Sequence, residues 1–202
     1  MTNRGAIPDL DQVLADAKAR WLCAVRDRHS PFHTPVVCSV QDAVAHPRIM
    51  VLRDVQEGCT ALRFHTDARS AKTAQIGAGA PVTVLGYDPE ARIQLTLRGM
   101  GRIETDGAAA DAAWAASAPS SRRCYLAAFA PGTETASPTS GLPDHLLDRA
   151  PTAAESEAGR QNFAIVMIEA LELEWLKLTS CGNQRARFRR EDDIWHGQWI
   201  TP

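Results

Sequence analysis

An excess of charge of either sign is missing from this chain. Lys and Arg total 22 against 24 Asp and Glu, and the formal net charge is −2. That leaves no electrostatic case for nucleic acid or an anionic membrane as a bulk partner. Paired cysteines are missing too. The five present, Cys23, Cys38, Cys59, Cys124 and Cys181, are odd in number and form no CxxC. This argues against a disulfide framework or a structural zinc site and for reduced thiols in a cytoplasm. His33, Cys38 and Cys59 lack metal-ligand spacing, so no metal is expected. No apolar run approaches bilayer-spanning length, and no basic-then-apolar segment opens the chain, so a soluble, cytoplasmic protein is expected. Internal repeats and low-complexity tails are absent. With 202 residues, 45% of them hydrophobic, the chain is expected to form a single domain over 1–202.

The apolar periodicity begins helical. Leu10, Val13, Leu14, Ala17, Trp21, Ala24 and Val25 form one stripe, Asp9 with Gln12 reads as a capping box, and the helix of region 1–30 ends before Pro31. The period then shortens. Pro35–Val40, Ile49–Val55, Ala61–Thr66, Val82–Tyr87 and Arg92–Glu104 read as strands, divided by His46-Pro47, Glu57-Gly58, Gly77 to Pro81 and Asp88-Pro89. Ser70 is placed to cap a short helix to Ile76. Residues 107–129 are alanine-rich and read as helix broken at Pro119. Region 130–161 reads as an insertion, first a Pro/Gly/Ser/Thr loop to 144 and then a polar helix around Ala153–Gln161. Strands return at Phe163–Ile168, Leu171–Leu178, Arg185–Arg189 and Ile194–Ile200. Many short, mostly antiparallel strands with a few helices point to a mainly β fold, a small barrel with helical decoration.

Four segments carry candidate chemistry. Arg48–Arg53 (RIMVLR) is a strand with a cation at each end; five residues apart, the two face opposite ways if the strand is regular. Read alone, they are two solvated strand ends. Phe64–Lys72 (FHTDARSAK) gathers hydroxyls, the first N–H groups of a helix and a lysine, a plausible phosphate seat or an ordinary capped helix. Gln94 and Thr96 share a face of a strand in which Ile93, Leu95 and Leu97 alternate with them; the amide of Gln94 can both donate and accept. In the late segment, Arg185 and Arg187 lie on one strand face, which by itself reads as a basic, solvated edge.

In order and spacing, these pieces resemble the pyridoxamine 5′-phosphate oxidase-like family of FMN-binding split barrels. The resemblance runs from about Pro35 to Pro202, best over Arg48–Thr105 and Glu174–Pro202. RIMVLR matches the family's R-I/V-V-L-K/R strand, and Phe64–Lys72 matches F-Y-T-x-x-x-S-x-K with His65 in place of Tyr. Gln94–Gly99 matches a strand from Gln to Gly. Trp175, Arg187-Phe188, a further Trp and Pro202 match its late pattern, in the manner of a bacterial branch. The resemblance implies an antiparallel, Greek-key split barrel and a homodimer with FMN at the interface. It implies that Arg48 contacts the FMN phosphate, with Met50, Val51 and Leu52 along the cofactor and Arg53 near flavin and substrate. His65 and Thr66 would line the ribityl–phosphate region, Ser70, Ala71 and Lys72 the phosphate seat. Gln94 would meet the ring, and Trp175 and Arg187 would touch the cofactor.

The departures concern the substrate. Ala71 stands where the oxidase has an arginine, and Arg69 is the nearest replacement. Around Trp114–Arg123 no Tyr-x-x-x-Arg-x-x-x-Ser set aligns; Arg122, Arg123 and Tyr125 are wrongly spaced. Asn183 and Arg185 replace the oxidase's substrate-facing Arg and His. The expected function is an FMN-dependent oxidoreductase of unknown small-molecule substrate, with Arg53 and Arg185 as substrate-facing cations and no assigned acid or base. The alternatives are a non-enzymatic flavin-binding or sensing protein, a true pyridoxamine/pyridoxine 5′-phosphate oxidase, or a barrel that binds haem or another ligand.

Overall fold

A computed structural model describes residues 8–202; the part of the expected 1–30 helical region before Pro8 lies outside them. The chain divides into two compact units. The first takes residues up to Arg63, then Pro81–Met100 and Ile168–Pro202; the second takes Phe64–Ala80 and Gly101–Met167.

Helix α1 (Leu10–Arg26) opens the first unit. Both bonds of its capping box form: Gln12 N–H donates to Asp9 Oδ1 at 2.7 Å, and Asp9 N–H donates to Gln12 Oε1. Val13, Ala17, Trp21 and Ala24 are its buried stripe, and Trp21 meets Phe32 edge to face. Next come β1 (Val36–Gln41), β2 (Val44–Ile49) and β3 (Leu52–Val55). This corrects the sequence reading twice. His46 and Pro47 sit inside β2, paired with Ser39 and Cys38 of β1, and the chain breaks instead at Met50-Val51. The cause is a two-residue turn at Asp42 and Ala43, both with positive φ. Such a turn suits a hairpin but lacks the glycine that normally announces it. Pro47 is tolerated because β2 is an edge strand.

Strands β4 (Ala61–Asp67), β5 (Ala80–Asp88) and β6 (Ile93–Glu104) fall where the alternation predicts them. Ile93, Leu95 and Leu97 are buried. A further correction concerns β7 (Phe163–Lys177), one strand of 15 residues where the sequence suggests two. Its polar interruption, Glu169, does not break the strand; the carboxylate accepts from Arg190 at 2.6 Å. Strands β8 (Gln184–Glu191) and β9 (Ile194–Ile200) close the chain as an antiparallel hairpin turned at Asp192 and Asp193, again with positive φ. The described strands make a nine-stranded sheet in the order β2-β1-β5-β6-β7-β4-β3, with β8 pairing β7 and β9. Strand residues outnumber helical ones, 38% to 28%, so the fold is mainly β as expected.

The second unit holds α2 (Ala71–Ile76), α3 (Ala108–Ala115), α4 (Pro119–Arg122) and α5 (Ala153–Ser156). The break expected at Pro119 separates α3 from α4. The helix expected to Gln161 ends early and tightens into a 3₁₀ turn, Glu157–Asn162. Trp114, Tyr125, Phe163 and His65 form an aromatic cluster, with centroids 4.9–5.9 Å apart between neighbours. Arg122, only 7% exposed, stacks on Trp114 and donates to the carbonyls of Trp114 and Ala115, to Ser156 Oγ and to Glu157. A buried guanidinium needs such saturation to be tolerated.

Candidate functional site

Two polar clusters stand out, one in each unit. In the second unit, the end of β4 and the start of α2 bring Thr66, Ser70 and Lys72 together. Lys72 Nζ donates to Thr66 Oγ1 at 3.1 Å and to Ser70 Oγ at 3.0 Å, and the two hydroxyls lie 3.2 Å apart. Thr66 and Ser70 are each 5% exposed. Ser70 occupies the N-cap of α2 yet makes no side-chain cap bond, contrary to the sequence reading. Its hydroxyl turns to Thr66, Lys72 and Thr73 instead. Because α2 has only six residues, its dipole adds little. An ammonium with two hydroxyls is the chemistry that remains, and it suits a phosphate or another oxyanion.

Neighbouring residues go elsewhere. His65, adjacent to Thr66 in β4, is on the opposite strand face by the two-residue alternation and packs edge-on against Phe163 at 4.9 Å. Arg69, the sequence's substitute for the arginine absent at Ala71, is engaged by Asp67, at 3.0 and 2.8 Å, and by the carbonyl of Ala127. Ala71 itself is exposed.

In the first unit, Arg48 donates to the buried Ser39 Oγ at 2.9 Å, and desolvation lowers its pKa from the usual arginine value. Met50 and Leu52 are buried, Val51 half-buried and Arg53 exposed on β3. With β2 and β3 separated by Met50-Val51, five-residue parity does not orient Arg48 and Arg53. Gln94 Nε2 lies 3.5 Å from Thr96 Oγ1 on one face of β6. Arg98 continues that face and reaches β7.

On β7, Glu174 is a hub. It receives Arg98 from β6 at 2.9 Å, and Arg185 at 2.6 Å and Arg187 at 3.3 Å from β8. Glu172 receives Arg98 at 2.8 Å, Arg189 at 3.4 Å and Arg187 at 3.6 Å. The register explains this, because Glu172 faces Arg189 and Glu174 faces Arg187. Burial alone would raise the Glu174 pKa, but hydrogen bonds from Arg185 and Arg98 outweigh it and hold the carboxyl below its usual range. Sequence reasoning took the arginines as a solvated edge and missed Glu174. The signal was there: Glu-x-Glu on one strand against Arg-x-Arg-x-Arg on the next.

Trp175 follows Glu174 and so faces the other way, stacked edge-on with Trp199 at 6.4 Å. Its indole N–H is buried and has no hydrogen-bond partner among the described residues.

Glu174→Gln is expected to destabilise the chain by about 1–2 kcal/mol at neutral pH. Breaking a fully buried ion pair costs about 3–5 kcal/mol, but these arginines remain partly hydrated; Arg98, Arg185 and Arg187 side chains are 44%, 31% and 28% exposed. A carboxyl whose folded pKa is depressed stabilises above its unfolded pKa of ~4.3 and loses that contribution as pH falls through the folded value. Urea titrations at neutral pH and on acidification should therefore show the wild-type advantage shrinking toward acid.

Elsewhere the groups are structural. Burial pushes the Cys59 thiol up to about 12, and a His33 ring nitrogen pairs with the carbonyl oxygen of Ala24 at 2.6 Å. Among the described residues no helix is long and apolar enough to cross a membrane.

No protein-family model and no curated protein matches the sequence. Solved structures do match in fold. A pyridoxamine 5′-phosphate oxidase-related, FMN-binding protein from Nostoc punctiforme superposes with a TM-score of 0.68 at 23% identity, over 98% of this chain and 99% of that one. PhzG from Burkholderia lata, in complex with tetrahydrophenazine-1-carboxylic acid, gives 0.60 at 14% identity, over 96% and 90%. A protein from Clostridium acetobutylicum related to general stress protein 26 of B. subtilis gives 0.57 at 9%, over 91% and 99%. The fold is the split barrel of pyridoxamine 5′-phosphate oxidase-like proteins.

Proposed function

We propose that this chain is an FMN-binding flavoprotein, a single split-barrel domain that works as a homodimer and as an oxidoreductase on a small molecule. The observation that carries the reading is the buried pair of hydroxyls under the Lys72 ammonium. The full-length likeness to an FMN-binding structure supports it.

The side chains present fit such a cofactor. Thr66, Ser70 and Lys72 offer a cation and two hydroxyl donors to a phosphate; Arg48, in the first unit, is the cation that the family resemblance assigns to it. Gln94 offers donor and acceptor to the polar edge of the ring. Trp175 lies on the other face of β7 from Gln94 and Arg187; its assignment to the cofactor comes from the family resemblance, and its buried N–H has no partner among the described residues. Arg187, held by Glu174, contributes charge, while Arg53 and Arg185 remain for substrate. Bound FMN would supply hydride-type redox chemistry. The chain's residues bind it, orient it and set the charge around it.

The test is spectroscopic. FMN added to the purified chain should be quenched in fluorescence with a stoichiometry of about one per protomer, and light scattering should give the mass of two chains. No quenching, or a haem-type visible band, overturns the reading.

One observation favours the non-enzymatic alternative. Arg122, in the region where the oxidase takes its substrate, is consumed by internal hydrogen bonds. Anaerobic incubation of FMN-loaded protein with pyridoxine 5′-phosphate and with nicotinamide donors separates the cases. Bleaching by the first indicates the true oxidase, bleaching by the second a reductase, and none a binding protein.

A further inference from the structure

The Glu174 cluster has more donors and more positive charge than its own carboxylates can satisfy. Four guanidiniums, from Arg98, Arg185, Arg187 and Arg189, meet two carboxylates, Glu172 and Glu174. Two positive charges are left over on one sheet face. Each guanidinium has five N–H donors. The hydrogen bonds to Glu172 and Glu174 use only a minority of the cluster's donors: two from Arg98, two from Arg185 and one each from Arg187 and Arg189.

The geometry is that of a receptor as well as a clasp. Glu174 is 6% exposed and forms the floor, while the arginines rise from β6 on one side and β8 on the other and stay partly in water. Gln94 and Thr96 lie on the same face of β6 as Arg98. On the opposite face the excess runs the other way: one cation, Arg190, pairs with two carboxylates, Glu169 and Asp193.

We propose that the arginine face of β6, β7 and β8 is a subsite for a dianionic group, a phosphate monoester or a dicarboxylate, seated between Arg98 and Arg185 above Glu174. Guanidiniums match both ligands because their planar forks donate in pairs to two oxygens. The net charge of the face sets the class. A dianion neutralises it, a monoanion leaves it half satisfied, and a cation is repelled. That this group belongs to the substrate of the flavin site rests on the proposed function; the subsite itself does not.

The test is calorimetric titration of the full chain, without flavin, in a Lys72→Gln background that disables the hydroxyl–lysine cluster as a competing anion seat. Inorganic phosphate, malonate and acetate are the probes. Phosphate or malonate should bind at least about tenfold more tightly than acetate, with affinity falling as salt rises. Preference for phosphate names a phosphate ester, and preference for malonate a dicarboxylate. Arg185→Gln should weaken the favoured dianion by about tenfold or more, and Arg185→Lys, which keeps the charge but not the fork, by less. If Arg185→Gln does not fold by circular dichroism, Arg98→Gln, on the more exposed side, is measured in its place. Equal affinity for acetate and both dianions, or dianion binding indifferent to the arginine substitutions, overturns the proposal. A chain that binds the dianion but not FMN loses the flavin reading and keeps this one.

Discussion

Gly99→Ala is expected to lower the melting temperature by roughly 10 °C, from a loss of at least about 3 kcal/mol. A Cβ built on Gly99 would lie 1.7 Å from the carbonyl oxygen of Glu169, 2.8 Å from its carbonyl carbon and 3.3 Å from Ala170 Cα. All three are backbone atoms of β7, so no rotamer change relieves the clash. Either β6 or β7 must shift, and the pairing that aligns Arg98 with Glu172 and Glu174 shifts with it. Gly79→Ala is the control: its added methyl meets nothing within 4 Å, so it should melt within a few degrees of wild type. A Gly99→Ala chain that melts with the control would show that the two strands are not so close. The glycine that ends the Gln94–Gly99 motif is thus a packing requirement, whatever the motif also does for a ligand.

What was legible in the sequence followed from local rules. The α1 stripe and its capping box, the alternation of β6 and the bounds of β9 needed no tertiary information. What was not legible depended on partners. The β1–β2 turn uses Asp42 and Ala43 at positive φ, so nothing in the local chemistry marked it, and Pro47 looked like a breaker because edge position is a property of the sheet. Glu169 looked like a break in β7 because Arg190, its ion-pair partner, lies 21 residues away.

The candidate site divides the same way. Thr66, Ser70 and Lys72 fall within seven residues, and their convergence was visible. The opposite facing of His65 and Thr66 followed from the strand period, once β4 was known to run through both. Glu174 was hidden because its value depends on register: the same Glu-x-Glu against a β8 slipped by one residue would set Glu174 against Ala186 or Phe188 instead of Arg187. Charge patterning across neighbouring strands is therefore readable only after the pairing is fixed.

Lys72→Gln is expected to weaken FMN binding by about ten- to a hundredfold, and Ala71→Arg to strengthen it by about tenfold. A charge-assisted hydrogen bond contributes about 1.5–3 kcal/mol, and Lys72 is the one cation touching both Thr66 and Ser70 among the described residues. Gln keeps a donor and much of the length but not the charge, so the loss reads the electrostatic part. The gain expected at position 71 rests on placement: Ala71 is exposed on the first turn of α2, directly before Lys72, so a guanidinium there adds positive charge beside the seat without displacing packed atoms. Arg69 cannot already fill that role while it is committed to Asp67 and Ala127. Fluorescence titration of FMN against wild type and both variants, at low and high salt, measures the two effects with opposite signs. Thr66→Val, which removes one hydroxyl but no charge, should fall between wild type and Lys72→Gln. If Lys72→Gln binds FMN as wild type does while Arg185→Gln does not, the flavin phosphate sits on the arginine face, and the roles of the two clusters are exchanged.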